Sequence, residues 1–317
     1  MVYSNWVKWC ILIGLAFSIN VDNMAQDKNL IPITEVTTSN EIQLITSTST
    51  SVQPNVLLRT GVFTPVGRKV NINSGTMMDL TTDLVNLELC QKEGYDSVTV
   101  RGTRLNVETD FKVWCGIVLV FSKLGLSSNT VHLKFSEFAK YCGYPSRRFD
   151  KNLRRQIGES LERIQSQSLT FRRKGADKAV HTGMLLKASY DGDEDRVELM
   201  ADESLWDLYR LDYQVLVSMK VLSKLPRAEV AQCLYLYLLA LPENPIPVSF
   251  TRLRERLRLE SCTKEANRKI KTGLKKLESI GFLSGSFMTK NGEQFYCIDK
   301  RFKKLSNPLE VSPLMND

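Results

Sequence analysis

The sequence is short of the residues from which metal and nucleophilic centres are built. It has only two histidines, His132 and His181, and they stand far apart in the chain. A zinc site is therefore not expected, and the His-hydrophobe-His cluster of metal-dependent nicking enzymes is missing. No Gly-x-x-x-x-Gly-Lys-Ser/Thr segment occurs, which excludes a P-loop. We expect no catalytic residue, no cofactor and no bound metal.

Two further patterns are incomplete. The acidic run Asp191–Asp195 lacks the closing glutamate of an EF-hand loop, so we interpret it as a solvated turn. The seven cysteines contain no Cys-x-x-Cys pair, and most stand in apolar surroundings. That pattern favours buried free thiols in a reducing compartment, and thus a cytoplasmic protein.

The longest apolar run is at the N-terminus. Cys10–Ile19 follows Lys8 and is too short to span a bilayer as a helix. Three explanations stay open: translation that starts at Met24, an extension without a role, and export or anchoring. We favour the first, because the rest of the chain is basic and its cysteines are unpaired. The following residues are rich in Ser, Thr, Asn and Gln, so 1–55 is predicted to be disordered or over-extended.

A recurring order of elements follows. Each half shows a buried helix, a short helix, a turn, a long basic helix and a β-hairpin, which predicts an α+β protein with two tandem winged helix-turn-helix domains. We expect the first domain at 56–210, the second at 211–304 and a tail at 305–317. The predicted helices are Met77–Lys92, Asp110–Leu124 with Asp110 as N-cap, Ser136–Cys142, Arg147–Gln167, Arg227–Leu241, Thr251–Arg258 and Thr263–Ile280.

Positive charge is concentrated on the two helix-turn-helix segments. The whole chain has a net charge of +8. Ser146–Lys174 holds nine Lys/Arg against three Asp/Glu, and Ser249–Lys304 holds fifteen against six. Together these segments exceed the net charge of the chain, which favours duplex DNA over a membrane surface as the partner.

The second long helix has the clearest basic face. Lys264, Arg268, Lys271 and Lys275 fall opposite its apolar stripe, where they could enter a major groove or simply face water. On the first long helix, Arg147, Lys151, Arg154 and Arg155 repeat the arrangement. Arg252 is a candidate phosphate contact, and Lys290 stands at the tip of the second hairpin, where Asn291-Gly292 predicts a tight turn.

Several segments resemble those of a known family. They are LLRTGVF (Leu57–Phe63), RGTRLNVETDFKVWCGI (Arg101–Ile117), FSEFAKYCGYPS (Phe135–Ser146), and the closing segments LRERLRL, LKKLESIGFL and FYCID. In order and spacing the chain resembles the RepFIB-type plasmid replication initiators, the RepA proteins. These belong to the wider Rep family of paired winged-helix initiators that includes RepE.

The resemblance implies a function. Such initiators bind directly repeated origin sites (iterons) as monomers, help to open an AT-rich segment and recruit host DnaA and the DnaB helicase. Their dimers repress their own promoter. Carried over, the second domain reads bases through Arg268 and Lys271, and the first contacts the adjacent turn of DNA through Arg147, Arg148, Lys151 and Arg155. The alternative is a winged-helix transcriptional repressor without a replication role, since the same fold serves both.

Overall fold

The computed structural model describes residues 34–36, 42–44, 46–66, 76–79, 96–123, 129–173, 178–191, 195–202, 205, 209 and 214–302. The apolar run Cys10–Ile19, the alternative start at Met24 and the tail 305–317 lie outside these residues. In the part of the chain that is described, no helix is long and apolar enough to cross a membrane.

Helices and short strands are mixed along the chain, which confirms the α+β class. The helices are α1 (Asn55–Arg59), α2 (Asp110–Lys123), α3 (Phe135–Tyr141), α4 (Lys151–Gln165), α5 (Met219–Ser223), α6 (Glu229–Leu239), α7 (Phe250–Arg256) and α8 (Thr263–Ser279). The strands are β1 (Thr34–Val36), β2 (Ile42–Leu44), β3 (Thr50–Pro54), β4 (Phe63–Thr64), β5 (Thr76–Asp79), β6 (Ser97–Gly102), β7 (Leu105–Asn106), β8 (Thr130–Lys134), β9 (Ser168–Arg173), β10 (Lys178–Gly183), β11 (Lys187–Asp191), β12 (Arg196–Met200), β13 (Gln214–Ser218), β14 (Val248–Ser249), β15 (Leu283–Lys290) and β16 (Glu293–Arg301).

Two parts of the chain share one topology. In the first unit (α1 to β12) the strands of the motif are ordered β8–β12–β11, and in the second unit (α5 to β16) they are ordered β14–β16–β15. In both, the strand before the helix-turn-helix pairs with the last strand of the following hairpin. This is the arrangement of a winged helix, so the prediction of two tandem winged helix-turn-helix units is confirmed.

The first unit carries an inserted hairpin. Strands β9 and β10 lie between α4 and β11, and they join β6 and β5 in a sheet of order β10–β9–β6–β5. The helix predicted over Met77–Lys92 is wrong at its start, because Met77 and Met78 pair with Arg101 and Val100 of β6. The rest of that segment lies outside the described residues.

Both helix-turn-helix motifs turn through a residue in the left-handed region. After α3 this residue is Gly143, with a φ of 78°, and after α7 it is Arg258, with a φ of 49°. The next N–H then bonds back to the last turn of the helix, from Tyr144 to Ala139 and from Leu259 to Arg254. This pattern satisfies carbonyls that the helix end would leave unpaired.

The start of α4 differs from the prediction. Asp150 is its N-cap, and the carboxylate accepts the N–H of Leu153 at 2.8 Å. Arg147 and Arg148 therefore lie in the preceding 3-10 turn and outside the helix. The N-cap Asp150 sets the start of α4, because its carboxylate satisfies an N–H that has no partner within the helix.

The prediction that Asp110 caps α2 is wrong. Asp110 is the first residue of the helix, and Asn106 closes the turn before it, since its side-chain oxygen accepts the N–H groups of Glu108 and Thr109 at 2.7 and 3.1 Å. Asp110 is fully buried, and its carboxylate accepts from Ser160 at 2.6 Å and from Arg163 at 2.7 Å. It thereby joins α2 to α4.

The prediction that 1–55 is disordered or over-extended is wrong for its last residues. Strand β3 pairs antiparallel with β13, and Val52 and Gln53 are fully buried. The side-chain amide oxygen of Gln53 (Oε1) accepts from the Trp114 indole at 2.9 Å and from the Tyr209 hydroxyl at 3.1 Å. Gln53 is thus a buried polar residue whose hydrogen bonds are satisfied by residues far away in the sequence. Sequence analysis alone had placed it in the segment predicted to be disordered or over-extended.

The two units contact each other through polar side chains. Asn106 donates to Glu229 at 3.1 Å, and Gln232 donates to Glu108 at 3.2 Å. Helix α6 of the second unit also packs on α1 and β4. Strand β3 lies before residue 56 and β13 lies after residue 210, yet the two strands pair with each other. The domain boundaries at 55 and 210 therefore stay a prediction.

Candidate nucleic-acid interface

Helix α8 shows a sharp division between an inward and an outward side. Its inward side is fully buried at Ala266, Ile270, Leu274 and Leu277. This side packs against α6 and against β15 of the β15–β16 hairpin, which is the wing of the second unit. On the opposite side Lys264, Arg268 and Lys275 are exposed, and Lys271 is half-buried. The four predicted cations therefore lie on one side of one helix, and we call them the α8 outward face.

Two of these cations have partners within the second unit. The Arg268 guanidinium donates to the Glu265 carboxylate at 2.8 and 2.7 Å, which lowers the pKa of Glu265. Arg268 is still 70% exposed, and such surface pairs are weak, so it can exchange Glu265 for another acceptor. The Lys271 ammonium lies 5.9 Å from the centre of the Phe287 ring.

The wing is fixed beside this face. Asn291 and Gly292 have φ values of 52° and 77°, as the tight turn predicted from Asn-Gly requires, and they leave Lys290 exposed. The Glu293 carboxylate accepts the Thr251 N–H at 3.2 Å and so ties the wing to the start of α7.

The arginines of α7 are half-buried or buried against neighbouring elements. Ser249 caps the helix by accepting the Arg252 N–H at 3.1 Å. Arg252 is half-buried beside Tyr237, whose pKa is raised by burial and partly restored by that guanidinium. Arg254 donates to Asn267 of α8 at 2.7 Å. The arginines of α7 therefore connect this helix to α6 and α8, and they also add positive charge to the motif.

The outward face of α4 is less basic than that of α8. Lys151 and Arg155 occupy the places that Lys264 and Arg268 occupy on α8, and Arg155 pairs with Glu159 at 2.6 Å. One and two turns further on, Gly158 and Glu162 stand where α8 has Lys271 and Lys275. On the outward face of α4, positive charge is therefore confined to the first two turns of the helix and to the 3-10 turn before it.

The remaining predicted residues of the first unit divide into two groups. Arg147 and Arg148 are exposed, and the Arg148 guanidinium lies 5.5 Å from the centre of the Tyr144 ring. Arg154 is turned inward, where it pairs with Asp195 of the first wing, the β11–β12 hairpin, and donates to the Tyr190 hydroxyl at 2.6 Å. This internal pairing removes Arg154 from the outward basic surface.

A feature that the sequence did not indicate is a cleft of about 680 Å³ between the units, which we call the interunit cleft. Its cationic lining residues are Arg104, Arg227, Arg258, Arg268, Lys269 and Lys276. The sequence carries no compact motif for this cleft, because its cations are spread from Arg104, between β6 and β7, to Lys276 of α8.

The thiols agree with the sequence in part. Cys115, Cys142 and Cys233 are buried and free, and burial raises the pKa of Cys115 to about 12. Cys262, at the N-cap of α8, is exposed. Over the described ranges, no group of three or more His, Cys, Asp or Glu side chains could hold a metal ion.

The fold and the outward helix faces define a class: a paired winged-helix protein with its positive charge on the helix-turn-helix motifs. The family model described as Initiator Replication protein, WH1, matches residues 86–239. The chain is 44% identical to Replication protein RepA of Escherichia coli over 84% of this chain and 93% of that protein. It is 36% identical to RepFIB replication protein A of Escherichia coli over 86% and 88%. Domains 2 and 3 of RctB align with a TM-score of 0.49 and 11% identity, covering 78% of this chain and 99% of that one.

The chain belongs to this family of plasmid replication initiators. The resemblance to RepFIB-type proteins that the sequence indicates is thus confirmed.

Proposed function

We propose that the protein initiates replication of its plasmid by binding repeated sites in the origin as duplex DNA. The observation that carries this proposal is the α8 outward face, where four cations share one side of a helix whose other side is fully buried. A winged helix presents such a face to the major groove, where arginine can bind guanine through two hydrogen bonds.

The structure supports unequal roles for the two units. The second unit is the main base reader, through Lys264, Arg268, Lys271 and Lys275, with Lys290 of its wing on the sugar-phosphate backbone. In the first unit, Arg147, Arg148, Lys151 and Arg155 contact the adjacent turn of DNA. Because Gly158 and Glu162 follow, α4 approaches the duplex with its N-terminal end.

The later steps rest on the family alone. We propose that bound monomers help to open an AT-rich segment and recruit host DnaA and the DnaB helicase in the cytoplasm. Dimers of the same chain repress their own promoter. The first unit supplies the dimer interface in this proposal.

A mobility-shift assay tests site-specific binding. The probes are a duplex that carries the direct repeats of its own origin and a scrambled duplex of equal length and composition. We expect the repeats to bind about 10³-fold tighter at moderate salt. Equal affinity for both duplexes would contradict the proposal.

A replication assay separates initiation from simple repression. A plasmid that carries only this gene and its origin is expected to be maintained in the host. Loss of the plasmid, together with normal binding to the repeats, would favour a transcriptional repressor.

A further inference from the structure

Phe287 is a partly uncovered aromatic side chain on the wing of the second unit, beside the α8 outward face. It lies on β15, and 41% of it is exposed. Its ring packs edge-on against Phe250 at the start of α7 and against Tyr296 of β16, with ring centres 6.2 and 5.2 Å apart. The Lys271 ammonium lies 5.9 Å from the centre of the same ring. The ring is thus supported by its aromatic neighbours and is open to solvent next to a cation of the outward face.

The first unit has an aromatic ring at the same place in the fold. Tyr190 of β11 corresponds to Phe287 of β15. Each lies, across the central strand, in register with the residue two places before the next helix, Leu133 before α3 and Val248 before α7. Tyr190 packs edge-on against Phe135 at the start of α3, with centres 5.7 Å apart, as Phe287 does at the start of α7.

The two rings differ in how they are covered. The Tyr190 hydroxyl accepts from Arg154 of α4 at 2.6 Å, and Tyr190 is half-buried. On α8 the place of Arg154 is taken by Asn267, whose shorter side chain bonds instead to side chains of α7 and of the wing. The first unit therefore ties a polar ring inward, whereas the second unit keeps an apolar ring exposed at the edge of its basic face.

We propose that Phe287 is a specificity-determining residue that contacts the methyl group of a thymine in the origin repeats. The proposal rests on the function proposed above, and it extends the base-reading surface from α8 to the wing. Thymine alone presents a methyl group in the major groove, and phenylalanine is one of the side chains that contact it. A duplex bound on the α8 outward face brings its base edges next to Lys271 and hence next to the ring. Contact between ring and methyl group removes apolar surface of both from water.

Uracil tests this contact, because it differs from thymine only by the missing methyl group. Fluorescence anisotropy measures the affinity for the origin-repeat duplex and for the same duplex with each thymine of the repeat replaced in turn by uracil. We expect the wild type to lose about fourfold at the contacted position, the effect of leaving one methyl-sized group unburied. Phe287→Ala should bind the thymine duplex about fourfold or more weakly and should lose nothing further from uracil at that position.

Met288→Ala is the matched control. Met288 is the next residue of the same strand and is 39% exposed, and its side chain lies on the opposite face of the wing. This variant should bind the thymine and uracil duplexes as the wild type does. A loss in Met288→Ala equal to that in Phe287→Ala would overturn the proposal, because it would assign both losses to the fold of the wing.

If Phe287→Ala does not fold, cross-linking of the wild type decides. In 5-iodouracil, iodine takes the place of the thymine methyl group, and irradiation links the base to a side chain in contact with it. Mass spectrometry of the linked peptide should identify Phe287, and links confined to other residues would overturn the proposal.

Two results separate this proposal from the proposed function. A wild type that prefers the repeats to the scrambled duplex but binds every uracil duplex as tightly as the thymine duplex would overturn the role of Phe287 alone. Full wild-type sensitivity to uracil in Phe287→Ala would do the same. Equal wild-type affinity for the repeat and scrambled duplexes would contradict the proposed function and this proposal with it.

Discussion

Asp110 shows how one buried carboxylate can join two helices at the residue scale. It is fully buried, and it accepts from Ser160 and Arg163 of α4 and from the Asn106 N–H at 2.7 Å. Asp110→Ala should lower the free energy of unfolding by about 3–5 kcal/mol, because it leaves the Arg163 charge buried without its partner. Urea unfolding measures this loss.

The matched control is Glu159→Ala, which removes an exposed carboxylate from Arg155 on the same helix. Its expected loss is below about 1 kcal/mol. Similar losses for the two variants would show that burial of the Asp110 pair does not matter.

Two glycines within helices should respond in opposite directions to alanine. At Gly116 of α2 a Cβ would lie 2.5 Å from the Cys142 sulfur and 3.0 Å from its backbone nitrogen, so Gly116→Ala should cost about 1–3 kcal/mol of unfolding free energy. At Gly158 of α4 a Cβ meets nothing within 4 Å, and Gly158→Ala should add about 0.5–1 kcal/mol. Urea unfolding of both variants checks the difference, and a stabilised Gly116→Ala would refute the close packing of α2 on α3.

At the scale of elements, α4 and α8 are alike in their buried sides and unlike in their outward sides. Glu162→Lys gives α4 the charge that Lys275 gives α8. If α4 lies along the duplex, each new phosphate contact should steepen the slope of log affinity against log salt by about 0.9. If only the N-terminal end of α4 approaches the DNA, as proposed here, the slope should stay unchanged.

The control for this comparison is Glu243→Lys, which makes the same change of charge in the exposed loop before β14. Salt titrations of binding to the origin-repeat duplex measure both variants. A slope that steepens for Glu162→Lys alone would contradict the end-on approach of α4.

The elements that the sequence predicted well are those with a strong local signal. The register of α8 followed from its apolar period, and the helix ends just before Gly281, whose φ of 73° lies in the left-handed region. The start of α4 was missed, because the capping role of Asp150 competes with a run of helix-forming residues. Strand β3 was missed for a different reason: its polar residue Gln53 is satisfied by Trp114 and Tyr209, which lie far away in the sequence.

For the site, the sequence predicted the charge but not every orientation. Helical spacing placed Lys264, Arg268 and Lys275 on one face, as the structure shows. It could not show that Arg154 turns inward to Asp195, since that contact depends on the path of the first wing. Nor could it show Arg258 in the cleft, because a left-handed arginine has no local signature.

At the scale of the whole molecule, strand β3 connects the N-terminal part of the chain to a strand from its second half. Strand β3 pairs with β13, whereas β1 and β2 pair only with each other among the described strands. Removal of residues 1–45 should therefore leave unfolding free energy and DNA binding unchanged. Removal of 1–54 should destabilise the protein, because it takes away buried Val52 and Gln53 together with the partner of β13.

Urea unfolding and sedimentation of the two truncated proteins measure this difference. The shorter truncation also tests the apolar run Cys10–Ile19, which the proposed function does not require. Loss of binding on removal of 1–45 would show that the N-terminal segment takes part in the function.

The central claim is that the α8 outward face reads the base sequence of origin repeats. Its most direct test is the ratio of affinities for repeat and scrambled duplexes, measured for the wild type and Arg268→Ala at one salt concentration. Arg268→Ala should weaken binding to the repeats by about 1–3 kcal/mol and change binding to the scrambled duplex much less, so that the ratio falls. Equal losses on both duplexes would contradict the claim and reduce Arg268 to a phosphate contact.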